Sequence, residues 1–187
     1  IVARDIRWIE NYIFLLGYNL TSSDINKNNL VKENLAKTKV AINAENIPFK
    51  NEYFSQVIIL DVLEHIKNHE KVLDEIHRVL KMNGILVISI PNDTILSYIN
   101  PIRYAQHERH YTIELIKRML KKRNFRIENI FSGGGIWELI DLYTHLIIKY
   151  TTGKIINLNI FDKLRDKEYK KHNPKGNEII IKARKIK

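Results

Sequence analysis

The chain has 187 residues, of which 44% are hydrophobic and 28% charged. That balance suits one globular domain and excludes a disordered or collagen-like chain. With 7 Gly, 4 Pro and no Cys, it has no disulfide framework, no thiol nucleophile and no cysteine-ligated zinc or iron–sulfur site, and it is compatible with a reducing cytoplasm. The formal net charge is +10, which would attract nucleic acid, anionic lipid or an acidic substrate. From Lys163 to Lys187 there are 10 basic and 3 acidic residues, and this stretch reads as a solvated basic end. The opening Ile1-Val2-Ala3-Arg4-Asp5 carries charges where a signal peptide needs an apolar core, and no run reaches the length of a membrane span.

In chain order, residues 1–16 read as a helix and Gly17 as its C-cap. Tyr18 to Ser23 and Thr38 to Ile42 are short strands. Gln56-Val57-Ile58-Ile59-Leu60 is a β-branched run of the kind buried on both faces. From His69 to Met82, Val72, Leu73, Ile76, Val79 and Leu80 recur at helical spacing, and Gly84 sits where a left-handed C-cap belongs. Ile85 to Ile90 is a further buried strand, closed by Pro91. Thr112 caps a helix with Ile113, Ile116, Met119 and Leu120 on one face. Arg126 to Phe131 is a strand that runs into Gly133-Gly134-Gly135. Ile136 to Tyr150 is an apolar helix, and Glu178 to Ala183 is the last strand. Strands alternating with helices at this spacing predict an α/β fold with a mainly parallel, doubly wound sheet.

Ligands of open α/β sheets bind outside the carboxyl ends of the strands, so the residues just past each strand carry the chemistry. They are Asp24 with Ile25, the loop Asn43-Ala44-Glu45-Asn46-Ile47-Pro48-Phe49, the segment Asp61-Val62-Leu63-Glu64-His65-Ile66, and Pro91-Asn92. A carboxylate at the position of Asp24 can accept two hydrogen bonds from a ribose diol; an exposed helix-capping Asp would look the same. These stations, with the later Gln106-His107-Glu108-Arg109-His110-Tyr111-Thr112 and Asn124-Phe125, resemble the class I S-adenosylmethionine-dependent methyltransferases that act on small molecules. The resemblance covers residues 15–131 and 178–185. Asn124 stands where the family usually has Gly, and Asn43 where it more often has Asp.

The resemblance implies a Rossmann-like methyltransferase domain with an antiparallel last strand and residues 132–177 as a lid or insertion. It implies methyl transfer from S-adenosylmethionine, with S-adenosylhomocysteine as product, to an O, N or C atom of a small molecule. Asp24 would bind the ribose hydroxyls, with Ile25 beside it. Ala44 would present backbone groups to the adenine edge and Asn43 would meet the exocyclic amine. Leu60, Asp61 and His65 would lie under the methionine and ribose part. Glu45, Ile47, Pro48 and Phe49 would shape the loop. Asn92, Tyr104 and Tyr111 would contact the acceptor, and His107 and His110 would take a proton from it. The family's first strand and its glycine-rich loop have no counterpart before Ile1, so the expectation is a domain without its central strand, from a chain that begins further upstream.

Other readings stay open at this point. Asp61, Glu64 and His65 at i, i+3 and i+4 could hold a divalent cation, as in relatives that methylate small-RNA 3′ ends; the main reading has no metal. The chain could be a non-catalytic methyltransferase-like subunit. Nucleic-acid binding ranks last, since no aromatic residues interleave with the basic ones. The helix from Ile136 covers the site or packs on the sheet, or meets a lipid-like substrate or second subunit, and the basic end would suit an anionic surface.

Overall fold

The computed structural model describes residues 2–3, 17, 19–25, 38–100, 109–154 and 160–187. Its strands are β1 (Val2–Ala3), β2 (Thr21–Asp24), β3 (Thr38–Ala41), β4 (Phe54–Leu60), β5 (Leu80–Pro91), β6 (Phe125–Gly133) and β7 (Glu178–Lys185). Its helices are α1 (His69–Val79), α2 (Ile95–Tyr98), α3 (Ile113–Lys122), α4 (Ile136–Thr152) and α5 (Asp162–Tyr169), with a 3-10 turn at Leu63–His65. The seven strands form one sheet in the order β3-β2-β1-β4-β5-β7-β6. β7 runs antiparallel to both β5 and β6, while the β1–β2, β1–β4, β2–β3 and β4–β5 pairs are parallel. This is the doubly wound α/β sheet that the spacing of elements predicts, with the antiparallel last strand that the resemblance implies.

The central position is filled. Val2 pairs with Ser23 on one side and Ile59 on the other, and Ala3 pairs with Leu60. The expected lack of a central strand is thereby corrected, and so is the helix at its first residues: Val2–Ala3 is strand, joining β2 to β4. Residues 4–16, the rest of the expected helix, lie outside the described residues. Gly17 has a left-handed backbone, at φ +77°.

The core gathers around the long strands. Leu86, Ile88 and Ile90 of β5 and Ile179, Ile181 and Ala183 of β7 are wholly buried. Against them pack Val72, Leu73, Ile76 and Val79 of α1 and Ile116, Met119 and Leu120 of α3. Each Val, Leu, Ile or Met among them contributes roughly 1.5–3 kcal/mol of apolar burial. Thr112 caps α3 by accepting from the Leu115 N–H at 3.1 Å. Arg123, at the end of α3, ties it to α1: its Nε reaches Asp74 at 2.5 Å, and its Nη2 donates to the Glu70 carboxylate and to the Glu70 carbonyl at 3.0 Å.

Two boundaries differ from the sequence reading. α1 stops at Val79 and β5 begins at Leu80, because Leu80 continues the helical spacing while already lying in the sheet opposite Phe54. The left-handed residue is Asn83, at φ +61°, and not Gly84. Gly84 is needed for space: a Cβ there would lie 2.7 Å from the Lys81 carbonyl and 3.2 Å from that of Ser55. Asn124 also has a left-handed backbone, at φ +56°, which explains how it stands in for the family's glycine.

The basic end is not simply a solvated one. Lys182, Arg184 and Lys185 belong to β7, an inner strand of the sheet. Lys185 is buried and donates to the His77 and Leu80 carbonyls at 2.9 Å. Lys182 and Arg184 both pair with Glu128 of β6.

Candidate functional site

The carboxyl ends of β1 to β5 lie along one edge of the sheet, and β7, being antiparallel, begins at that edge. Pro91 is paired with Glu178, the first residue of β7. The edge thus carries Asp24 from β2, the loop after β3, Asp61 after β4, Asn92 after β5 and Glu178. Asp24 is 9% exposed, so its carboxylate is largely shielded from bulk water. Ile25, beside it, is 75% exposed.

The loop after β3 is built locally and then clamped. Asn43 Oδ1 accepts from the Glu45 N–H at 2.9 Å, closing a turn in which Ala44 is buried. An amide oxygen has two lone pairs, so this bond leaves one to spare. From α1, Glu75 accepts from the Ile47 N–H at 2.8 Å and pairs with Arg78. Arg78 in turn donates to the Ile47 carbonyl at 2.8 Å, the Phe49 carbonyl at 2.7 Å and Asn51 Oδ1 at 3.0 Å. Its hydrogen bond holds the Glu75 carboxyl below its ordinary pKa. The planar guanidinium serves both the carboxylate and the loop carbonyls.

Asp61 has a left-handed backbone at φ +50° and an exposed side chain, and its Oδ1 accepts from Ser89 Oγ at 3.0 Å. Ser89 Oγ also lies 2.6 Å from Oε1 of the buried Glu178. Asp61, Ser89 and Glu178 therefore form a chain of hydrogen-bonding groups across β4, β5 and β7. Leu60, the last residue of β4, is half-buried. His65 ends the 3-10 turn, its Nε2 3.7 Å from Glu64 Oε1. Among the described residues, no three His, Asp or Glu side chains are grouped so as to hold a metal ion.

Two residues expected at the acceptor have other work. Asn92 is 4% exposed, and its Nδ2 donates to the Gly176 carbonyl at 2.8 Å and the Pro174 carbonyl at 3.2 Å. It braces the segment before β7 against the end of β5. Tyr111 is fully buried; its hydroxyl lies 2.8 Å from His69 Nδ1, and burial pushes its pKa up to about 12. Arg109 Nη1 also donates to His69 Nδ1, at 2.8 Å, and to the Ile66 carbonyl at 3.0 Å. Because a guanidinium only donates, that imidazole nitrogen is an acceptor and His69 is neutral. His110 is half-buried and packs edge-on against Tyr98, ring centroids 4.7 Å apart. Tyr104 and His107 lie outside the described residues.

A cleft of about 460 Å³ opens further along, at the β6–α4 corner, between Gly134, Trp137, Glu168 and His172. It falls within the expected lid, residues 132–177. There Glu168 of α5 accepts from the Trp137 N–H at 3.2 Å, capping α4, whose own N-cap Gly135 has no side chain to do so. Sequence reasoning missed Ser89, Glu178, Glu75 and Arg78.

The strand order, with its single reversed strand, defines a methyltransferase-type fold. Residues 6–88 match the family model described as "Methyltransferase domain". Over 81 residues the chain is 38% identical to an uncharacterised protein of Methanocaldococcus jannaschii, covering 40% of this chain and 36% of that one. Over 57 residues it is 35% identical to the mitochondrial ubiquinone biosynthesis O-methyltransferase of Dictyostelium discoideum, covering 30% and 18%. The matched segments thus span little more than a third of these relatives' length at most. The fold is shared with Haemonchus contortus phosphoethanolamine N-methyltransferase 2 in complex with S-adenosyl-L-methionine, at 19% identity and a TM-score of 0.66, over 96% of this chain and 46% of that one. Over residues 6–88 the chain is thus similar to methyltransferase domains, and its sheet has the α/β methyltransferase fold.

Proposed function

We propose that this chain transfers a methyl group from S-adenosylmethionine to an O, N or C atom of a small molecule. The observation that carries the reading is Asp24, a shielded carboxylate at the carboxyl end of β2, beside a loop held from behind by Glu75 and Arg78. The donor set suits a nucleoside: a carboxylate for a ribose diol, a small buried residue at Ala44 and amide groups at Asn43 for an adenine edge. Bound there, the cofactor supplies a methyl group on a sulfonium, ready for displacement by an acceptor's electron pair.

The chain's own part is to bind and to orient. Asp24 accepts the two ribose hydroxyls, with Ile25 bordering the sugar. The turn held by Asn43 fixes the backbone of Ala44. Leu60, Asp61 and His65 line the amino-acid end. Much of the acceleration in such a transfer comes from holding the two reactants in line, which asks little of a general base. Tyr104, His107 and His110 are proposed to contact the acceptor, His107 and His110 taking its proton. Asn92 and Tyr111 support the edge from behind. The cysteine-free composition suits a cytoplasmic setting.

The test is calorimetric titration of S-adenosylhomocysteine into this chain and into Asp24→Ala. Micromolar binding, weakened by roughly 1–3 kcal/mol in the variant, supports the reading. No binding by the unaltered chain would favour a non-catalytic subunit, and an unchanged affinity in Asp24→Ala would remove that residue from the site.

A further inference from the structure

α4 carries an apolar stripe on its outer side. Ile136, Tyr143, Ile147 and Tyr150 are 47%, 42%, 62% and 82% exposed. At 3.6 residues per turn they fall within an arc of about 60°. The stripe extends onto α2. Tyr143 donates its hydroxyl to the Ile99 carbonyl at 2.6 Å, which brings up Ile95, Tyr98 and Ile99, all exposed. Scattered exposed apolar side chains are ordinary, but a contiguous patch over two helices is not.

The charge around this patch is predominantly basic, with Asp93, which accepts from the Tyr98 hydroxyl at 2.8 Å, as the acidic group beside α2. From Leu142 to Lys175 there are eight Lys or Arg against three Asp or Glu. Lys149 and Lys154 stand exposed at the end of α4. α5 packs beside α4 through the Arg165–Asp141 ion pair at 2.6 Å and the stacked rings of Trp137 and Phe161. It brings up Lys163 and Lys167, with Lys170 and Lys171 following, all exposed. The acidic groups of α4 are engaged elsewhere: Asp141 is buried against Arg165, and Glu138 accepts from Tyr169 and Asn177. No helix among the described residues is long and apolar enough to cross a membrane.

We infer that the α2–α4 face docks on an anionic lipid bilayer. Isoleucines enter the acyl boundary, tyrosines sit at headgroup depth, and the flanking lysines meet lipid phosphates. A second copy of the chain would bring one lysine-rich rim against another, which charge opposes. Nucleic acid would leave the isoleucines against phosphate. The inference does not depend on methyl transfer, so either can fail alone.

Co-sedimentation of the full chain with vesicles tests it. Vesicles of phosphatidylcholine with about one-third phosphatidylglycerol should carry the chain down at low salt, and pure phosphatidylcholine vesicles should carry down far less. Ile147→Asp with Tyr150→Asp should weaken binding at least roughly tenfold. Lys149→Glu with Lys154→Glu should weaken it and leave the far-ultraviolet circular dichroism unchanged; this pair decides the matter if the apolar pair does not fold. The proposal is overturned if the unaltered chain stays in the supernatant with anionic vesicles, or if a folded variant pair sediments as the unaltered chain does. It is equally overturned if light scattering shows a dimer that Ile147→Asp dissociates and vesicles do not bind.

Discussion

The two halves of the sheet divide the labour unequally. On one side the described residues of β1, β2 and β3 number 2, 4 and 4; on the other those of β5, β7 and β6 number 12, 8 and 9. Among the described residues, the long half holds most of the buried apolar side chains, while the short half ends in Asp24 and the loop after β3. Among these residues the buried core gathers in one half and the proposed cofactor contacts in the other, joined through β1 and β4. Short strands suffice for the second task, since their use is to aim a few groups at a ligand from a frame held elsewhere.

The sharpest way to break this comparison is to remove the same chemistry from each half. Ile88→Ala, in the wholly buried middle of β5, should cost about 2–5 kcal/mol in urea unfolding, through lost burial and the cavity left behind. Val40→Ala, on half-buried β3, should cost about 1 kcal/mol. Equal costs would show that the short half is as much a part of the cooperative core as the long one.

A second test separates positioning from stability. Arg78 lies on the core helix α1, but its hydrogen bonds go to Ile47, Phe49 and Asn51 in the loop. Arg78→Ala should weaken S-adenosylhomocysteine binding by about 1 kcal/mol, the worth of a few lost hydrogen bonds to a loop that must then be ordered on binding. Arg78→Lys should not restore it, because a single ammonium cannot serve the Glu75 carboxylate and the carbonyls together. Full affinity in either variant would show that the loop holds its shape without the clamp.

The long half was legible because repetition makes patterns. The apolar run from Ile85 to Ile90, the cap at Thr112 and the last strand from Glu178 all stand where the residues predict. Val2–Ala3 was not legible, because two residues carry no period; only pairing with Ser23, Ile59 and Leu60 makes them strand. The end of α1 was misplaced because Leu80 satisfies helix spacing and sheet packing alike. At the site, Asp24 and the 43–49 loop follow from position past a strand. The bracing role of Asn92 depends on carbonyls more than 80 residues away, and the Ser89–Glu178 contact joins residues 89 apart. A reversed last strand does predict that its first residue stands at the ligand edge, and that signal could have singled out Glu178.

The smallest expected effect lies in pH, and it too belongs to the core side. His69, at the start of α1, has its pKa lowered from the usual imidazole value of 6.5, first by burial and then by the Arg109 charge. His77, near the end of α1, shifts the same way, again chiefly by burial. A group with a lowered pKa binds fewer protons folded than unfolded. Its contribution to stability is fully present above pH 6.5 and declines as pH falls below it, until the folded imidazole is itself protonated. Glu70 and Glu75, lowered by their bonds to Arg123 and Arg78, add a decline of the same sign below their ordinary value of 4.5. The urea midpoint should therefore drop between pH 7.5 and pH 5.5, before carboxylates contribute. His69→Gln retains an oxygen that can accept from Arg109 while removing the titration, so it should flatten that drop in part and leave the share of His77. An unaltered slope in His69→Gln would place the pH dependence elsewhere. A slope that vanished would make the Arg109–His69 contact its sole source, with α1 then responding to acid at its first turn alone.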